Sequence, residues 1–126
     1  MTYKPRIHAK TDKTQSSLVE FLRKFPYIHV ETGHDDLIIG TTKSALTEER
    51  LIWVEWKSAR AISKKTGEVL ESEKKDSQKK LERQNFPCYI ITGKASDIFK
   101  KLNYHVADYD DIDTMFDEFL EERLNY

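Results

Sequence analysis

The stretch Leu51-Ile52-Trp53-Val54-Glu55-Trp56-Lys57 constrains the fold of this chain more than any other. β-branched and aromatic side chains fit a pleated, half-buried surface, so these residues predict a strand. Period two places Leu51, Trp53, Glu55 and Lys57 on one face and Ile52, Val54 and Trp56 on the other. Charge in so apolar a strand is costly to bury unless something satisfies or uses it. Either the strand emerges into solvent at Glu55, or it delivers a glutamate and a lysine to a site.

The remaining elements are predicted around this strand. Residues 1–11 are polar and expected to be extended, with Thr11 or Asp12 capping a helix that begins near Lys13. Leu18, Leu22 and Phe25 share one face of that helix, with Val19 and Phe21 beside them, and Pro26 ends it. Residues 27–30 read as a short strand. Gly33 permits a turn into Leu37-Ile38-Ile39, which Gly40 bounds. Residues 43–50 form a polar connection, and 58–75 form a longer one that is expected to be functional or mobile. A helix over 77–84 is anchored by Leu81, and residues 87–92 make another buried strand. Ser96 is placed to cap a short helix carrying Ile98, Phe99 and Leu102, and 105–107 can add an edge strand. From Asp110 to Leu124 an amphipathic helix carries Ile112, Met115, Phe116, Phe119 and Leu120 on one stripe. The order α, β, β, β, α, β, α predicts an α/β fold, a mixed sheet flanked by helices.

At 126 residues the chain is expected to form a single domain, with its core over about 8–104 and the acidic helix following at about 110–124. A charged share of 34% against 38% hydrophobic fits a soluble protein and leaves no apolar run of membrane-spanning length. No apolar block follows the charged N-terminus, so no signal peptide is expected. Cys88 is the lone cysteine, which excludes an internal disulfide and suits a reducing cytoplasm. The net charge of −1 is unpromising for a nucleic-acid partner, but its distribution is bipolar. Cations crowd the N-terminal segment and residues 57–83, whereas eight acids crowd 108–122. Such a chain can turn a basic face to phosphates, although lysine runs alone are more often a solvated surface.

Asp36 precedes one apolar strand and Glu55 closes the next, so a hairpin would bring them together. Phosphodiester hydrolysis needs a metal ion to polarise the phosphate and acidify a water. Mg²⁺, or Mn²⁺, takes hard oxygens, typically one or two carboxylates. Asp36 and Glu55 can supply these, with the backbone carbonyl of Trp56 as a further ligand. Lys57, on the face of Glu55, can reach the attacking water or the phosphate.

With these residues in place, Gly33-His34-Asp35-Asp36-Leu37-Ile38-Ile39, Glu55-Trp56-Lys57 and Gln78 resemble the PD-(D/E)XK nuclease superfamily. More narrowly, the chain looks like the small stand-alone VRR-NUC-type nucleases of bacteriophages and prophages. Ala9-Lys10-Thr11-Asp12-Lys13-Thr14-Gln15 matches the segment that opens their first helix. Asp35 departs from the pattern, which usually has proline there, and the 58–75 insertion is longer than usual. The glutamate early in that family's first helix corresponds to Gln15 or Glu20. The resemblance covers most of residues 8–100 and leaves the C-terminal helix outside it.

It implies a PD-(D/E)XK core and a Mg²⁺- or Mn²⁺-dependent endonuclease acting on branched or flapped DNA, in the manner of a junction resolvase. It also implies a homodimer in the bacterial cytoplasm. Asp36, Glu55, Lys57 and Gln78 would be catalytic, Glu20 could complete a second metal position, and Gln78 would orient water or phosphate. Lys64, Lys65, Lys74, Lys75 and Lys79 would contact phosphates without reading sequence. His29 and His34 lack a third ligand at a spacing suited to a transition metal. Trp53 and Trp56 could stack on bases, but packing is the default for both. The stripe of Met115, Phe116 and Phe119 can be core or a dimer contact. A different class of function remains open: a catalytically silent nuclease fold that binds nucleic acid or a protein partner, or an interaction module built on the acidic helix.

Overall fold

The predicted strand at the centre of the sequence is also central to the fold. In the computed structural model, which describes residues 5–32, 36–57, 61–84, 86 and 88–124 (side chains at 14–123 of these), strand β3 spans Arg50–Trp56. It pairs antiparallel with β2 (Leu37–Thr41), which pairs antiparallel with β1 (Ile28–Glu31). On its other side β3 pairs parallel with β4 (Tyr89–Thr92), giving a four-stranded mixed sheet in the order β1-β2-β3-β4. The helices are α1 (Pro5–Arg23), α2 (Asp76–Arg83), α3 (Ala95–Leu102) and α4 (Tyr109–Leu124). The architecture is mixed α/β. A parallel neighbour for β3 requires a crossover, and the segment containing α2 makes it.

The alternation along β3 sorts its two faces as period two dictates. Ile52, Val54 and Trp56 are buried, together with Leu37 and Ile39 from β2 and Ile28 from β1. Against this face pack Leu18, Val19, Phe21 and Leu22 of α1, Ile98, Phe99 and Leu102 of α3, and Ile112 and Phe116 of α4. Edge-to-face rings tie the layers together: Trp56 meets Phe116 at 5.8 Å between centroids, and Phe25 meets Phe99 at 4.8 Å. Each such side chain contributes about 1.5–3 kcal/mol by leaving water. The opposite face carries Trp53 and Glu55, and α2 lies against β4 at the sheet edge. Leu51 on that face is 63% exposed.

Several expectations need correcting. The first helix starts at Pro5, so residues 5–11 are helical and Thr11 and Asp12 lie inside it. A proline with its fixed φ and missing N–H suits a first turn. Gly40 continues β2 instead of ending it. Leu81, the apolar residue of α2, is half-buried, and the polar Gln78 is buried beside it in the helix. Ser96 lies within α3, whose N-cap is Lys94, and its hydroxyl and N–H both donate to the Asp113 carboxylate, at 2.6 and 2.9 Å. Residues 105–107 form no strand, and the α3 terminus is closed by Asn103 in the left-handed conformation. Met115 leaves the apolar stripe and is exposed. The described part of the long polar connection is folded. Ile62 and Val69 bridge antiparallel around a turn at Gly67, and a 3-10 turn follows over Glu71–Glu73.

Gly33, His34 and Asp35, expected to form a turn, lie outside the described residues, as do Ser58, Ala59, Arg60 and Pro87. No helix among the described residues is long and apolar enough to cross a membrane.

Candidate active site

The hairpin register decides where the acids fall. Leu37 pairs with Val54, so Asp36, one residue earlier, faces Glu55, on the side of the sheet that carries Trp53. The two carboxyl groups are hydrogen-bonded. A neighbouring like charge disfavours ionisation, so Asp36 helps to keep Glu55 protonated. Glu55 is pushed up to about 8, first by burial and then by the hydrogen bond to Asp36 and its charge. Lys57 and Lys75 pull it the other way. The Lys57 ammonium is 3.9 Å from Glu55 Oε2.

Two aromatic residues build the wall of this pair. The Trp53 indole N–H donates to Asp36 Oδ2 at 2.6 Å. Tyr89 stands beside Trp53 through the parallel β3–β4 register, with rings 4.9 Å apart and at 69°. Its buried phenol is held protonated well above the usual range, by burial first and then by the charges of Glu55, Asp36 and Glu82. Phe86, 42% exposed, also leans edge-on against Trp53. The sequence revealed neither the Trp53–Asp36 bond nor Tyr89 at the site. Both depend on cross-strand register, and the only local signal was an aromatic alternating with Glu55 on the same face.

The other predicted residues separate into groups. Gln78 is at the start of α2, where its Oε1 accepts the Lys75 N–H at 2.9 Å and so ties down a free amide of the first turn. Lys75 faces the pair closely enough to lower the proton affinity of Glu55. Lys74 is already committed: its ammonium lies 2.7 Å from both Glu71 and Glu82, and only 8% of its side chain is exposed. Lys64 and Lys65 are exposed at the turn of the 61–70 ribbon, and Lys79 is half-buried on α2. Glu20 is not brought to the acids. It belongs to α1, on the opposite layer, and pairs with Arg123 of α4. The Trp56 carbonyl lies between Glu55 and Lys57 at the end of β3, while its indole is buried on the core face with Nε1 unpartnered among the described residues.

Among the described residues, no three His, Cys, Asp or Glu side chains converge on one point. The donor set is the Asp36–Glu55 pair, all hard oxygen. That fits Mg²⁺ or Mn²⁺, which keep several waters, and does not fit a closed zinc site. A separate groove of about 410 Å³ lies at the far end of the hairpin, lined by His29, Gly40, Thr41, Glu49, Arg50 and Leu51. It contains neither acid of the pair. No protein-family model matches the chain, and no curated protein or solved structure is detectably similar to it.

Proposed function

We propose that this chain is a metal-dependent endonuclease of PD-(D/E)XK type that hydrolyses DNA phosphodiester bonds. The observation that carries the reading is the pair of abutting carboxyls, Asp36 and Glu55, with the Lys57 ammonium beside them on one face of a hairpin. A bound Mg²⁺ or Mn²⁺ would supply positive charge against the phosphate and acidify a water. Asp36 and Glu55 would hold it, Glu55 losing its proton, with the Trp56 carbonyl at the strand end as a further oxygen. Lys57, beside Glu55, would orient the attacking water or steady the phosphate charge that builds up. Lys75, at the α2 N-terminus, acts on Glu55 and can steady a phosphate oxygen, and Gln78, tied to the Lys75 N–H, is the second candidate from that turn. Lys64 and Lys65 supply cations for the flanking backbone.

The preference for branched or flapped DNA, and action as a homodimer, rest on the resemblance of residues 33–39, 55–57 and 78 to VRR-NUC-type nucleases.

The test is cleavage of labelled four-way junction, flap, single-stranded and linear duplex DNA with Mg²⁺ or Mn²⁺, in wild type, Asp36→Asn, Glu55→Gln and Lys57→Ala. Metal-dependent cutting that each substitution lowers by about 10²-fold or more supports the reading. Wild type that binds DNA but cuts no substrate with either metal overturns it in favour of a silent binding module.

A further inference from the structure

The Trp53 indole has a place that packing alone does not require. Its ring packs edge-on against both Tyr89, at 4.9 Å and 69°, and Phe86, at 5.6 Å and 83°, which restrains the direction of its N–H. That direction ends on Asp36 Oδ2, at 2.6 Å. One oxygen of Asp36 is thereby tied to a restrained donor, and rotation of the carboxylate would break the bond.

Mg²⁺ and Mn²⁺ prefer octahedral sites in which a carboxylate gives one oxygen, whereas Ca²⁺ accepts more ligands and readily takes a carboxylate by both. We propose that Trp53 is a positioning residue that sets cation selectivity, presenting Asp36 for one-oxygen ligation and so favouring Mn²⁺ and Mg²⁺ over Ca²⁺. The inference rests on the metal-site reading of Asp36 and Glu55. It gives the opposite face of β3 a role beyond holding Glu55: Trp53, two residues before Glu55, governs how its partner acid is offered.

Calorimetric titration with Mn²⁺ alone and with Ca²⁺ alone tests this in wild type, Trp53→Phe and Asp36→Asn, without any substrate. Phenylalanine keeps an aromatic ring beside Tyr89 and Phe86 but has no N–H. Trp53→Phe is expected to weaken Mn²⁺ binding about tenfold, as loss of an outer hydrogen bond to a ligand typically does. Ca²⁺ binding is expected to change by less than about threefold, because a freed carboxylate can turn both oxygens to the larger ion. Equal losses for both ions, or no loss for either, overturn the role of Trp53 while leaving the metal site standing. A wild type that binds Mn²⁺ no better than Asp36→Asn overturns the metal site and the proposal together. Thermal melts check that each variant folds. Should Trp53→Phe not fold, a benzothienyl-alanine at position 53 alone keeps the ring shape, replaces N–H by sulfur and carries the same expectation.

Discussion

Glu55 is held between opposed influences, and the balance can be read by titration. Burial and Asp36 raise its proton affinity from 4.5 to about 8, while Lys57 and Lys75 lower it. Between those two values the folded chain holds a proton that the unfolded chain has released. Stability therefore falls as pH rises through this window, and the contribution is most favourable below it. Urea unfolding at pH 5, 6.5 and 8 is expected to show this decline without metal, and Glu55→Gln, which needs no proton, to flatten it. Asp117 is also raised, chiefly by burial and then by Asp113 and Glu121, and it adds a decline in the same direction that survives in the variant. Added Mn²⁺ should restore stability at pH 8 in wild type, since a ligand that binds only the folded state stabilises it. A flat profile in metal-free wild type would remove the Glu55 proton from the account.

At the scale of elements, the joints of the sheet matter more than its strands. Gln78 closes the first turn of α2 on Lys75, and Gln78→Ala is expected to cost about 1 kcal/mol, the usual worth of a lost helix cap. A turnover loss beyond that, in protein shown to be folded, separates a substrate contact from a cap. Gly93 joins β4 to α3, and a Cβ there would stand 2.6 Å from Ile62 Cδ1 and 2.8 Å from the Lys57 carbonyl oxygen. The side chain can yield but the backbone cannot easily do so. Gly93→Ala is thus expected to lower both the melting temperature and any cleavage rate, by displacing Lys57 from Glu55.

The strands of the hairpin and the helix over 109–124 were legible because their apolar residues repeat with a clear period. The start of α1 was not, since residues 5–13 carry no apolar stripe and only the proline at its first position marks it. The pairing of Asp36 with Glu55 was legible from one antiparallel turn. Tyr89 was not, because a parallel neighbour is chosen by tertiary packing across a long connection. Lys74 looked like its neighbours in sequence, and only the fold shows it spent on Glu71 and Glu82.

Over the whole molecule, charge is divided rather than absent. A net charge of −1 conceals exposed Lys64 and Lys65 on the ribbon turn and exposed Asp110, Asp111, Glu118, Glu121 and Glu122 on α4. Lys64→Glu with Lys65→Glu is expected to weaken DNA binding and flatten its dependence on salt, while leaving the melting temperature within about 2 °C. Unchanged binding would move the DNA path elsewhere.

The layout of the sheet also has a consequence in time. β2 and β3 are neighbours in the chain, so closing one short loop brings Asp36 to Glu55. β4, Tyr89 and the helix beside them return only after a long crossover, which contact order makes the late and slow event. The acids therefore meet while still wet, and burial, the largest influence raising Glu55, is completed only when the last strand docks. Stopped-flow chevrons at pH 5.5 and pH 8 are then expected to overlay in their refolding arms and part in their unfolding arms. The proton on Glu55 would mark the moment at which the chain finishes folding.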